Sequence, residues 1–83
     1  METDIREKLE RFKIKAEEFL KEDIRAFIVD INDTYYFCDI ILVGDNSLLV
    51  QNFKGKRANE QEKIYWADIV KLEEYKDKEV ENE

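Results

Sequence analysis

Eighty-three residues hold one domain and leave no length for the core of a second. Charged residues make up 42% of the chain beside 43% hydrophobic, with a formal net charge of −7, no histidine and one cysteine. That balance excludes an internal disulfide, a Ser-His or Cys-His catalytic pair, and a metal site built from His and Cys.

Residues 1–25 carry eight acids and seven bases, and residues 26–53 carry four aspartates and no base. Residues 54–72 reverse the sign with five bases against three acids, and residues 73–83 return to six acids against two bases. An acidic chain is poorly suited to non-specific phosphate binding, so only the stretch from Lys54 offers a locally basic surface. The excess of Glu and Lys is a pattern of proteins from hot environments.

The first 25 residues repeat with helical period. Stepping 100° per residue from Ile5, the side chains of Leu9, Phe12, Ala16, Phe19 and Leu20 fall within about 60° of it. Ile14 alone lies on the far side. Asp4/Lys8, Glu7/Arg11 and Glu17/Lys21 pair acid before base on the polar face. Thr3 or Asp4 can cap the start, and the spacing predicts a helix over about 4–22.

Beyond Arg25 the pattern turns to strand. Ala26 to Ile31 is followed by Asn32-Asp33, a two-residue hairpin turn, and by a long strand from Thr34 to Val43. That second strand is apolar on both faces except at Asp39, and alternation sets Tyr35 and Phe37 against Tyr36. Gly44-Asp45-Asn46 breaks it. A third strand runs from Ser47 to Phe53, and the loop Lys54 to Glu60 leads to a fourth from Glu62 to Trp66. Ala67-Asp68 makes a tight step into a short fifth strand, Ile69 to Glu74. The charged run from Tyr75 to Glu83 reads as a tail of frayed helix or disorder.

The fold expected is mainly β with an N-terminal helix: a strongly bent five-stranded antiparallel sheet, or small SH3-like barrel, over about 26–74. An open α+β sheet fits the same alternation. With no signal-peptide pattern and no apolar run near ~18 residues, the expected location is the cytoplasm, without a membrane partner.

Cys38, mid-strand among apolar neighbours, reads as a buried, inert thiol, and Asp39 as facing solvent or a subunit contact. Gly44 and Gly55 read as turn residues rather than a phosphate cradle. The chain is therefore expected to have no enzymatic activity, no cofactor, no metal and no small-molecule substrate. Lys54-Gly55-Lys56-Arg57 is the one positive feature, with Phe53 before it and Tyr65 and Trp66 after it. Aromatic rings beside Lys and Arg are how single-stranded nucleic acid is held; the same residues also suit a solvated hairpin tip over a core tryptophan. A buried-surface fraction of ~60–65% and open strand edges predict a homo-oligomer.

The stretch Val43-Gly44-Asp45-Asn46-Ser47-Leu48-Leu49-Val50 and the closing stretch Ile64-Tyr65-Trp66-Ala67-Asp68-Ile69-Val70-Lys71-Leu72-Glu73 resemble the Sm-like small barrels over about residues 24–75. The resemblance implies a ring of six or seven copies, closed by pairing strand four with strand five of the next copy. Joined to the basic loop read above, it gives the expectation of an Sm-like homo-oligomer that binds single-stranded RNA through Asn46 and through Lys54, Lys56 and Arg57. The sequence departs from the family at Cys38, where a glycine is usual, and at Tyr65-Trp66, where an Arg-Gly pair is usual. Asn46 also falls one place early. The alternative function is a protein-interaction module, without nucleic-acid binding, acting through a strand edge or the helix.

Overall fold

A computed structural model describes residues 2–76. Helix α1 spans Glu2–Glu22, and strands follow at Ala26–Asp30 (β1), Tyr35–Val43 (β2), Ser47–Asn52 (β3), Gln61–Tyr65 (β4) and Ile69–Glu74 (β5). The helix begins two residues earlier than its periodicity suggests. It ends where Asp23 turns left-handed at φ 60°. The Asp23 amide then donates to Leu20 O at 3.4 Å, and the Ile24 amide to Phe19 O at 2.8 Å. This crossed pair satisfies two terminal carbonyls and folds Ile24 back beside Phe19 against the core. Leu20, at the margin of the apolar stripe, is 40% exposed.

The β1–β2 hairpin has a longer connection than Asn32-Asp33. Asp30 N–H bonds Thr34 O at 3.1 Å and Asp33 N–H bonds Asp30 O at 2.9 Å, enclosing Ile31, Asn32 and Asp33. With Asp33 at φ 63°, this is a three-residue loop with a left-handed third position. Tyr75, placed in the tail by composition, is ordered: it is half-buried, and its amide donates to Arg25 O at 2.9 Å. Residues 77–83 of the expected tail lie outside the described residues.

The sheet runs β4-β3-β2-β1-β5, antiparallel throughout. A flat five-stranded sheet would hold its edges about 19 Å apart. Here the edge strands β4 and β5 are joined only by the 3-10 turn Trp66–Asp68, and four Cα steps reach about 15 Å at most. The sheet must therefore curl strongly. Register shifts at Ile40/Leu42 and at Val29/Asp30 mark two bulges, which sharpen local bending. The sheet stays open nonetheless: β4 pairs only with β3, and β5 only with β1.

Alternation sends Ala26, Ile28, Cys38, Ile40, Leu48, Val50 and Ile64 to the concave side, where Trp66, Ile69 and Leu72 join them. Ala16 and Phe19 of α1 cover this core from above, mainly over β2. Ile28, Leu48 and Leu72 are fully buried, each stabilising the fold by about 1.5–3 kcal/mol. Ile64 and Trp66 face the same side, as their spacing suggested. No helix among the described residues is long and apolar enough to cross a membrane.

Candidate functional site

The same alternation that fills the core places residues 25, 27, 35, 37, 39 and 53 on the convex face. Four of those six side chains are aromatic. Tyr35 lies 5.7 Å from Phe27 between ring centroids, and Phe27 stacks on Phe37 at 5.4 Å. Phe37 meets Tyr75 edge-on at 5.9 Å, and Tyr75 meets Phe53 edge-on at 5.2 Å. Five rings from β2, β1, the end of β3 and the end of β5 thus form an unbroken row across the sheet. Offset and edge-to-face geometry of this kind is what ring quadrupoles favour.

Two cations lie on the row. The Arg25 guanidinium sits 4.1 Å above the Phe53 ring and pairs with Asp39 at 3.3 Å. The Lys54 ammonium lies 5.3 Å from the Phe37 centroid and 5.4 Å from that of Tyr75, and donates to the Tyr75 hydroxyl at 3.1 Å. An open cleft of about 670 Å³ adjoins the row, lined by Phe27, Phe37 and Tyr75 together with Phe19 and Lys15 of α1. Glu73, Glu74 and Lys76 complete its rim. Asp39, read as facing solvent or a subunit contact, is half-exposed and held by Arg25.

The sequence-derived contact residues are split between the two ends of β3. Asn46 stands exposed just before the strand, while Lys54, Lys56 and Arg57 follow it, on the order of 20 Å away at strand rise. Asn46 O accepts the Trp66 amide at 3.1 Å, and Trp66 Nε1–H donates to Gly44 O at 3.0 Å, so the β2–β3 turn is pinned to the 3-10 turn. A second cleft, of about 500 Å³, opens there among Glu10, Lys13, Asp45 and Asp68. Three carboxylates against one ammonium make this end acidic.

At the other end, Lys56 is exposed in the loop, whereas Arg57 is drawn inward. Its Nη1 bonds Glu62 Oε2 at 2.9 Å, and its guanidinium lies 4.9 Å from the Tyr36 ring centroid. Glu62 Oε2 also accepts Asn52 Nδ2 at 3.2 Å. Tyr36 O–H donates to Asp30 Oδ2 at 3.0 Å, and Asp30 Oδ1 takes the amides of Asn32 and Thr34 at 2.9 and 3.0 Å. Burial opposes the charged Asp30 carboxylate, but these donors outweigh it and hold the group below its ordinary range. Burial, and then the hydrogen bond to Asp30 and its charge, push the Tyr36 phenol up. This polar cluster closes the end of the core beneath the loop, so Arg57 and Asp30 serve the fold there.

Cys38 is 0% exposed, and burial, followed by the charges of Asp39 and Glu62, pushes its thiol up to about 12. At neutral pH it carries no thiolate to act as nucleophile. No three His, Cys, Asp or Glu side chains converge on a metal-sized point among the described residues.

The sequence does not mark the convex row, because only Tyr35-Tyr36-Phe37 cluster along the chain. Phe27, Phe53, Arg25 and Tyr75 join it through strand pairing. The signal available was the parity of β1 and β2, which sends Phe27 and Phe37 to the same face. Compared with known proteins, the chain matches no family model, no curated protein and no solved structure.

Proposed function

We propose that this chain is a non-enzymatic, Sm-like binding module of the cytoplasm that assembles with copies of itself and carries single-stranded RNA. The observation behind it is the pair of open edges: β4 and β5 each have one neighbour, and the short 3-10 turn Trp66–Asp68 joins them. Antiparallel pairing of β4 with β5 of the next copy would satisfy both edges at once and continue the sheet from copy to copy, closing a ring. Tyr65 on β4 and Val70 on β5 are 48% and 50% exposed, and such a contact would cover them. Lys63 on β4 and Glu73 and Glu74 on β5 offer opposite charges for cross-strand pairs. The lack of histidine and the buried, high-pKa Cys38 support a binding role over a catalytic one.

RNA is the cargo favoured by the basic loop and by the rings and cations beside it. The acidic setting of Asn46 favours the second reading, a protein-interaction module with no nucleic-acid ligand. Light scattering at two salt concentrations, with and without short U-rich and A-rich RNA, tests both. A mass of six or seven copies that rises with RNA at low salt is the expected result. A 10.0 kDa particle at every concentration would remove the assembly, and an oligomer indifferent to RNA would leave the protein-interaction reading.

A further inference from the structure

The convex aromatic row carries more than a packing role. Rings buried in a core are screened from water by their neighbours, whereas Tyr35, at one end of this row, is 56% exposed. Phe27, Phe37, Phe53 and Tyr75 are only half-buried. A cleft of about 670 Å³ lined by Lys15 and Phe19 adjoins them, within the range of ligand-sized pockets. Phe37 gives one face to Phe27, and the ends of two flexible cationic side chains, Arg25 and Lys54, lie over Phe53, Phe37 and Tyr75.

We propose that this row is a stacking platform for single-stranded nucleic acid. Bases stack on the exposed Tyr35 at one end of the row and on the Phe53, Phe37 and Tyr75 rings at the other, where Arg25 and Lys54 turn from the ring faces to the flanking phosphates. The exchange is favourable on both counts. A base stacked on an aromatic ring is worth more than an exposed cation–π contact, and each displaced cation gains a phosphate oxygen as partner. Arg25 keeps Asp39 within reach while it moves, so its head is never stranded.

The charge balance fits a ligand held by its bases. Arg25, Lys54, Lys15 and Lys76 face Asp39, Glu73 and Glu74, a near-neutral surface on a chain of net charge −7. Affinity then depends weakly on salt: with two phosphates neutralised, log K falls with log salt at a slope of about −1.4. The inference deepens the RNA reading and rests on it, but it moves the contacts away from Asn46, Lys56 and Arg57 and needs no ring of copies.

Fluorescence anisotropy of a labelled twelve-nucleotide RNA tests it on the full chain at several salt concentrations. Phe37→Leu preserves apolar volume, and Tyr35→Ala alters an exposed side chain, so both variants keep the fold, as circular dichroism and solution mass will report. The expected result is a shallow salt slope, binding at least tenfold weaker in Phe37→Leu and several-fold weaker in Tyr35→Ala, with solution mass unchanged. Wild-type affinity in both variants, with binding lost in Asn46→Ala or Lys56→Glu, would overturn the platform and keep the RNA reading. No RNA bound by the unaltered protein would overturn both.

Discussion

The two faces of this sheet are built from the same strands by alternate residues, yet they obey different physics. The concave face is apolar and dry, with Ile28, Cys38, Leu48 and Val50 essentially closed to solvent. The convex face holds its rings in a line and covers them with charges on long stems. The first face is held by area removed from water, the second by many weak, oriented contacts that can be exchanged for others. A mutation on one face should therefore cost several times what it costs on the other, and only the convex face can trade its contacts for a ligand.

Unfolding experiments can break that contrast. Ile28→Ala on the concave face should cost about 3–4 kcal/mol, enough to unfold much of a small domain, and a urea titration would read it. A loss under about 1 kcal/mol would mean the core is loosely filled. Asp30→Ala, at the polar end of that face, strands the Asn32 and Thr34 amides and the Tyr36 hydroxyl. It should cost about 2–3 kcal/mol. Because the folded carboxyl titrates below its ordinary value of 3.8, its contribution is complete above that pH and is lost as pH falls through the lower folded value. The wild-type advantage over Asp30→Ala should accordingly shrink in acid; an advantage unchanged at the lowest accessible pH would remove the carboxylate from this role.

Tyr75→Ala, on the convex face, removes two edge-on ring contacts and the acceptor of Lys54. About 1–2 kcal/mol is expected, seen as a Tm drop of several degrees. Asp39→Asn should do least. Its pair with Arg25 is half in solvent, and such pairs are worth about 0–1 kcal/mol. A larger loss than that of Tyr75→Ala would show the convex face to be held by charge rather than by rings.

Most of the chain's elements were legible because their signals are local. The helical stripe from Leu9 to Phe19, the break at Gly44, the start of β3 at Ser47 and the whole of β5 sit where period and turn residues put them. The opposite facing of Phe37 and Cys38 follows from parity alone. What stayed hidden depends on partners distant in sequence. Tyr75 looks like part of a charged tail until Phe37 and Phe53 come beside it. Ile31 looks like strand until the Asp30 carboxylate gathers the amides after it into a wider loop. Arg57 looks like a surface cation until Glu62 and Tyr36 surround it. The bulges that spoil strict alternation in β2 and β5 leave no mark in composition, so the degree of curl became visible only from the short link between the two edges.

Strand order also carries a consequence for how the molecule is made. β1 lies inside the sheet, yet one of its two partners, β5, is translated some forty residues later. Helix α1 and the meander β1 to β4 can form from neighbours in sequence, but until β5 emerges one side of β1 offers its backbone amides and carbonyls to any passing strand. Contacts between distant segments slow folding, and an unpaired strand is where nascent chains misassociate. Ile69 and Leu72, set in the core beside Ile28 by this last strand, therefore complete the fold and end the interval in which the newborn chain is most adhesive.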